Sequence, residues 1–577
     1  MAEIFTFYGR EIYTPGVYSK ILTVGGALPS PSGVNALCII AEASNGPVFG
    51  EMVAGASVND FKLIFGDQGP AIEAAFQAFN PSPTLSAAQD VRIINPRALV
   101  QATEKIYNTS AKLVESIDVA SRVYGPLGNG VTISLATGVA TVNLPWSTDP
   151  IVRDIDNPIM DIIMPSGFVT IDNDKISVGL TGALTDFEFV KYPRLIELIA
   201  AIETQEPTAT VTKDVTTSDN QSTIGLFDHI ETETSIASLT TIKADLKQLV
   251  DFLIAVPDIE ATKLSTATVM VDDFALTLSG GDIGTDPDAV QWGKVYDELE
   301  QVSIAVTCPI NDGLTGPYDE TLTKAIMNLD EQHAIKMNQP DQRGKKRQSF
   351  MSAHGGYGWS GQYVAPPADA DAIVTLSNLH GSEYSQFFGD GTVSIDQSGI
   401  ERAQVPCYFT VKAASMFLGG LASRVLTSQQ VTAIRATNTY SEADIKKLHV
   451  ASVIFAVTDG STYIRQMYST WKQDAQPMKT VPSRIRCALL SDNDVARKLE
   501  AWMEVKQGEG IAPYDAEGRT QIKRTLQAQQ NKSVNWVSTF GAVTFASSGI
   551  KFEYTIEDLV VPVIPEYGFG TTKVLNT

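Results

Sequence analysis

Residues 34–41 (VNALCIIA) are apolar almost without interruption, the pattern of a short strand covered on both faces. Pro70 opens a stretch in which Ile72, Phe76 and Phe79 recur at i, i+4 and i+7, a helical stripe with proline in its first turn. Residues 91–94 (VRII) read as the next strand, and this spacing predicts a βαβ unit in an α/β sheet. The same character returns near 266. Runs at 266–271 and 303–306 read as strands, and between them 289–302 carries Trp292, Val295, Leu299 and Val302 on one helical face. Ser441, Glu442, Ala443 and Asp444 open a further helix with a capping-box pattern. In 492–507 the stripe is Val495, Leu499 and Trp502, and Gly508 is a natural stop.

From about 110 to 265 the period changes. Short runs rich in Thr, Val and Ile, such as 130–135, 138–142 and 167–171, are separated by Gly, Pro, Asp and Asn. That pattern predicts an inserted β-rich domain of sandwich or barrel type, with a helix at 241–254 carrying Ile242, Leu246, Leu249 and Leu253. Both ends read as extended arms. Residues 14–18 (TPGVY) mix a turn signal with β-formers, and 25–33 (GGALPSPSG) has linker composition. At the other end 551–556 alternates, and the prolines of 560–565 (VVPVIP) confine that run to an edge strand or a detached arm. The expected organisation is an arm and linker (1–33), a first core part (34–110), a β-rich insertion (111–265), an α/β domain (266–480), a C-terminal core domain (481–558) and a C-terminal arm (559–577). The fold class is α+β multidomain, with a mixed α/β core built from both halves of the chain.

Composition narrows the function classes. Of 577 residues 44% are hydrophobic and 19% charged, which is globular rather than disordered. A net charge of −23 argues against broad nucleic-acid binding, which has to neutralise phosphates. The opening residues lack a basic stretch followed by an apolar one, so no secretory signal is expected, and no apolar run is long enough to span a membrane. Charge is uneven: 213–300 holds 17 acidic and 5 basic residues, whereas 412–486 holds 10 basic and 4 acidic. Two differently solvated surfaces explain this; opposite patches meeting between copies of the chain explain it too.

Few residues of the chain stand in patterns that carry chemistry. Cys38, Cys308, Cys407 and Cys487 are scattered without CxxC spacing and read as buried thiols. His229, His333, His354, His380 and His449 are far apart, with no metal-ligand spacing. Gly344-Lys345 lacks the preceding glycine of a phosphate loop, since position 339 is Gln339. The segment 358–362 (GWSGQ) fails as a nucleophile elbow at its last position. Asp282, Asp286 and Asp288 miss the EF-hand positions, and turn formation with helix capping by Asp286 or Asp288 accounts for them. The basic run 343–347 (RGKKR) reads as a solvated or intersubunit patch. No catalytic residue, cofactor or metal is assigned.

Several of these segments together resemble the tail sheath proteins of contractile bacteriophages and related injection machines. The arm with Pro15, Gly16, Val17 and Tyr18 is similar to that family's "PGVY" arm. Residues 121–129 (SRVYGPLGN) resemble its "GxxGN" segment, and 278–284 (LSGGDIG) its "LxGGxDG" loop. The 292–299 helix and the closing 482–570 segment fit as well, whereas 145–265 departs from the family. The resemblance implies a non-enzymatic subunit that polymerises helically, as stacked, hexameric rings, around a tail tube. Baseplate and tail terminator or neck proteins are the implied partners, with neither nucleic acid nor membrane insertion. Assembly would occur in the bacterial cytoplasm and the product would be part of a virion tail. It further implies intersubunit arms at Pro15, Gly16, Val17, Tyr18 and Ile21, and at Leu559, Val560, Val561, Val563 and Ile564. Lys446 and Lys447 against Asp272 and Asp273 are the candidate lattice charge contacts. Two readings compete. One is a phage or surface polysaccharide hydrolase or lyase with a β-rich binding insertion and paired carboxylates. The other is a different virion structural protein.

Overall fold

The computed structural model describes residues 35–472 except 109–113, 265–270, 340–341, 343–344 and 421–423. It also describes the strands Phe5–Phe7 and Arg10–Ile12 and, beyond 480, isolated residues and short strands as far as Ile556. The chain divides into two units. The first comprises Met1–Ser44, Phe49–Ala98 and Thr285–Thr577, and the second Asn45–Val48 and Leu99–Gly284.

A seven-stranded sheet forms the first unit. Its strands are β1 (Ala36–Ile40), β2 (Met52–Gly55), β3 (Asp90–Ile94), β4 (Val306–Pro309), β5 (Gln348–Ser352), β6 (Ser385–Phe388) and β7 (Val453–Ile454). Their order is β7-β6-β5-β4-β1-β3-β2, and every neighbouring pair is parallel except β2 with β3. Chain order therefore reverses between β1 and β4, as in doubly wound α/β sheets. The uninterrupted apolar run of β1 follows from coverage on both faces. Leu37 and Ile39 pack against α1 (Val58–Phe65), α2 (Pro70–Phe79) and a later helix, residues 406–419. Ala36, Cys38 and Ile40 pack against α3 (Ala289–Leu299) and α4 (Glu320–Met337). Farther along the same face lie α5 (Ala370–Ser377) and, beyond the 406–419 helix, the helix Glu442–Val450.

That 406–419 helix, α6 (Pro406–Gly419), has no counterpart in the sequence reading, and its geometry explains why. Residues 406–418 are all buried, so no polar face marks a helical period. Its end packs so closely on the 86–87 backbone that a Cβ on Gly419 would lie 2.1 Å from the Ser86 carbonyl oxygen. Lys412, fully buried in its middle, donates to Ser394 Oγ and the Thr432 carbonyl, each at 2.7 Å, and burial pushes its pKa down to about 7. The helix α7 (Glu442–Val450) begins at an N-cap Ser441 whose hydroxyl accepts from the Asp444 N–H, as its sequence anticipates.

Three expectations need correction. Residues 240–243 are a strand and the helix that follows is Asp245–Ala255, because Ile242 pairs across to Met160 rather than continuing a helical stripe. The strand anticipated at 303–306 starts only at Val306 and runs to Pro309. The basic run 343–347 turns inward where it is described. The Arg347 guanidinium donates to the Leu299 and Val302 carbonyls at 3.1 and 2.6 Å, and Lys345 Nζ to the Glu300 carbonyl at 3.0 Å. These cations thus cap the carboxyl end of α3, where a positive charge is favoured. The runs at 25–33, 266–270 and 492–507 lie outside the described residues.

In the second unit, two sheets and a helix enclose one core. One sheet has the strands Ile259–Lys263, Glu115–Ser121 and Thr103–Tyr107, in that order. The other runs Ile151–Asp154, Val139–Asn143, Thr132–Ala136 and Phe274–Thr277. The helix Asp245–Ala255 supplies Leu246, Leu249 and Leu253 to their shared core. A second core gathers seven further antiparallel strands between Pro158 and Lys243 around the helix Leu195–Gln205. Two segments that carried the sequence resemblance meet here. The Asn129 side chain donates to the Gly281 carbonyl at 2.8 Å and accepts its N–H at 2.7 Å. A Cβ on Gly281 would lie 2.4 Å from the Gly125 carbonyl oxygen, so this close approach requires glycine.

Candidate functional site

In an open α/β sheet, the carboxyl ends of the strands on either side of the order reversal form the usual ligand crevice. Here that place belongs to the turns after β1 and β4, and it is filled with the protein's own side chains. Glu42, two residues past β1, is buried and takes Arg97 as its ion-pair partner and the Tyr318 hydroxyl as a donor. The same guanidinium reaches Asp286 Oδ1 at 2.6 Å. Asp312, three residues past β4, is fully buried, and its Oδ2 accepts from the Tyr408 hydroxyl at 2.6 Å and the Trp359 N–H at 2.8 Å. Glycines make room for both acids. A Cβ on Gly358 would lie 2.4 Å from Asp312 Oδ1, and one on Gly313 2.7 Å from Glu42 Oε1. A third buried acid, Glu73 on α2, accepts from Gln404 Nε2 at 2.7 Å and the Gln397 N–H at 2.9 Å.

Burial raises the pKa of all three carboxyls, taking Asp312 to about 7. Each nevertheless faces fixed donors from its own chain, so the arrangement suits a structural lock better than acid–base exchange with a substrate. It has a pH signature. A carboxyl raised on folding stabilises below its unfolded pKa, and that contribution disappears as pH rises through its folded value. Unfolding free energy should therefore fall by a few kcal/mol between about pH 4 and 7, since each tenfold change in proton affinity on folding is worth ~1.4 kcal/mol. The Asp312→Asn variant should show a shallower decline in denaturant titrations across the same range. Parallel profiles for the two proteins would exclude Asp312 as the source.

Three of the four thiols are buried as expected, and Cys487 lies outside the described residues. Cys38, Cys308 and Cys407 are free and buried, and burial pushes the Cys38 thiol up to about 12. His380 pairs with Glu331 at 2.8 Å and His333 lies against Arg347. Among the described residues no group of three or more His, Cys, Asp or Glu is placed to hold a metal ion. Among them, too, no helix is long and apolar enough to cross a membrane.

Of the residues singled out as assembly contacts, Pro15, Gly16, Val17, Tyr18, Ile21, Leu559, Val560, Val561, Val563 and Ile564 lie outside the described residues. Lys446 and Lys447 are exposed on α7, and Lys447 pairs with Asp371 at 2.8 Å. Asp272 and Asp273 are exposed in the second unit, where the Asp273 carboxylate accepts the Thr137 N–H at 3.0 and 3.1 Å. The basic surplus of 412–486 is partly internal: Lys412 is buried, and Arg486 is buried against the carbonyls that end α6. Sequence reasoning missed the acid cluster because its members come from opposite halves of the chain. The one available signal was an acidic residue two or three places beyond an apolar strand.

No family model matches the sequence, and no curated protein sequence matches it. Among solved structures the chain is similar to the crystal structure of a sheath tail protein from Listeria innocua. The identity is 12%, 92% of this chain and 94% of that one are covered, and the TM-score is 0.51. A sheath tail protein from Desulfitobacterium hafniense is similar at 13% identity, covering 95% and 97% with a TM-score of 0.45. The helical sheath of the anti-feeding prophage in its contracted state gives 11% identity, coverage of 51% and 76%, and a TM-score of 0.33. At such identities the likeness is one of fold, and over nearly its whole length this chain has the mixed α/β multidomain fold of the Listeria sheath tail protein.

Proposed function

We propose that the protein is the structural subunit of a contractile tail sheath and has no enzymatic role. The observation that supports this best is the end-to-end match of fold with the Listeria sheath tail protein, which covers 92% of the chain rather than one shared domain. The filled switch-point crevice favours the same reading over a hydrolase, since Tyr318, Trp359 and Tyr408 occupy the place where a substrate would enter.

On this reading subunits polymerise as stacked, hexameric rings around a tail tube, between a baseplate and terminator or neck proteins, in the cytoplasm of a bacterial host. Arms at 15–21 and 559–564 add strands to neighbouring subunits, gaining main-chain hydrogen bonds at sheet edges. Lys446, Lys447, Asp272 and Asp273 serve as lattice charge contacts. The 111–265 insertion faces outward. Heterologous contacts that do not close produce an open helical lattice. A baseplate signal then releases a metastable extended lattice into a shorter, wider one, and the energy comes from interface gained rather than from nucleotide hydrolysis. The tube is driven through the host envelope for genome ejection.

Electron microscopy of the purified protein, expressed alone, should reveal hollow cylinders with regular helical striation. Monomers or closed rings at high concentration would overturn the proposal.

A further inference from the structure

The second unit contains an open seam. Thr103 and Ser279 exchange both main-chain hydrogen bonds, at 2.9 and 3.2 Å, which joins the edge strand Thr103–Tyr107 of one sheet to the edge strand Phe274–Thr277 of the other. Antiparallel pairing alternates, so a continuing ladder would next pair Lys105 with Thr277. Instead the strands part. They meet again only where the Asp272 N–H reaches the Asn108 carbonyl at 3.2 Å. From 103 to 108 is five steps, whereas from 272 to 279 is seven. Two extra residues on one side bow it away from the other, in the manner of a bulge.

The result is a cleft of about 390 Å³, lined by Glu104, Lys105, Ile106, Tyr107 and residues 272–277. That volume lies at the lower end of small-molecule sites. Two ties at the ends leave no room for a whole added strand. The chemistry is specific. Phe274 and Leu276, both half-buried, give the cleft apolar surface, with the ring of Tyr107 alongside. By the alternation set at Ser279, the main chain of Ala275 and Thr277 points toward the gap. Glu104 and Asp272 place carboxylates beside it, whereas Asp273 turns its carboxylate to the Thr137 N–H on the far side of its strand; the nearest cation, Lys105, is held by Glu115 at 2.5 Å.

We infer that this seam binds a short amino sugar. Such a ligand presents an apolar ring face to the aromatic side, hydroxyls to the main-chain groups and an ammonium group to the carboxylates. Anionic saccharides are repelled by the same acids.

Saturation-transfer NMR on the full chain tests this with the glucosamine trimer as probe, and with the galacturonic acid trimer and trilysine as comparisons. Transfer to the ring protons of the glucosamine trimer is expected, with none to the galacturonic acid trimer. Asp272→Asn, an exposed change that leaves the fold intact, should weaken binding about tenfold, the loss of one hydrogen bond to a charged group. No transfer from the glucosamine trimer, equal transfer from the acidic trimer, or unchanged affinity in Asp272→Asn would each overturn the inference. Stronger binding of trilysine would overturn it in favour of a basic peptide. None of these outcomes bears on whether the protein forms cylinders.

Discussion

An Arg97→Ala subunit should lose about 3–5 kcal/mol of unfolding free energy at neutral pH, the usual cost of removing one member of a buried ion pair. The Arg97 and Glu42 side chains are 2% and 1% exposed. Without the guanidinium, Glu42 keeps only uncharged donors, the Tyr318 hydroxyl and the Leu314 N–H at 3.3 Å. Burial already raises its pKa, so it will take up a proton, and the penalty should shrink as pH falls toward 5. The double variant Arg97→Ala with Glu42→Gln should be more stable than the two single losses summed, because no unpaired charge is left behind. Denaturant titrations of the four proteins at pH 7 and pH 5 decide the matter. A single-variant loss below about 1 kcal/mol would place the pair among exchangeable ones of the surface kind.

That pair also marks where sequence reasoning stops. β1 was legible because burial on both faces forces an unbroken apolar run, and α2 because Pro70, Ile72, Phe76 and Phe79 keep a helical period. α6 was not, since a helix buried all round has no period to read. The cluster was invisible for a different reason. Glu42 and Tyr318 are 276 positions apart, and only the sheet order brings β1 beside β4. The lock between Asn129 and Gly281 shows how far local pattern can reach: each segment was noticed by itself, and their contact spans 152 positions. Charge was the least faithful guide. The surplus at 412–486 counted Lys412 and Arg486, which composition cannot distinguish from surface cations. The boundaries 111–265 fall inside the second unit, whose outer strands, Thr103–Tyr107 and Phe274–Thr277, differ little in composition from what precedes and follows them.

Deleting residues 1–20 should abolish cylinder formation while leaving the subunit folded. The seven-stranded sheet begins at Ala36, so the deletion removes no strand of it. What goes is the short hairpin of Phe5–Phe7 with Arg10–Ile12 and the TPGVY segment after it. If that segment adds a strand to a neighbour, about five main-chain hydrogen bonds at ~0.5–1.5 kcal/mol each are lost per contact. Their sum, roughly 3–7 kcal/mol, corresponds to about 10² to 10⁵ in the association constant. A helical polymer amplifies such a loss, because every subunit makes the same contact and growth stops once the critical concentration exceeds the protein present. Sedimentation should then show a single slow species, with an unfolding midpoint close to that of the full chain. Aggregates with a lowered midpoint would mean that residues 1–20 support the fold itself. Intact striated cylinders from the shortened chain would exclude an N-terminal weave and leave the lattice to contacts between the folded units.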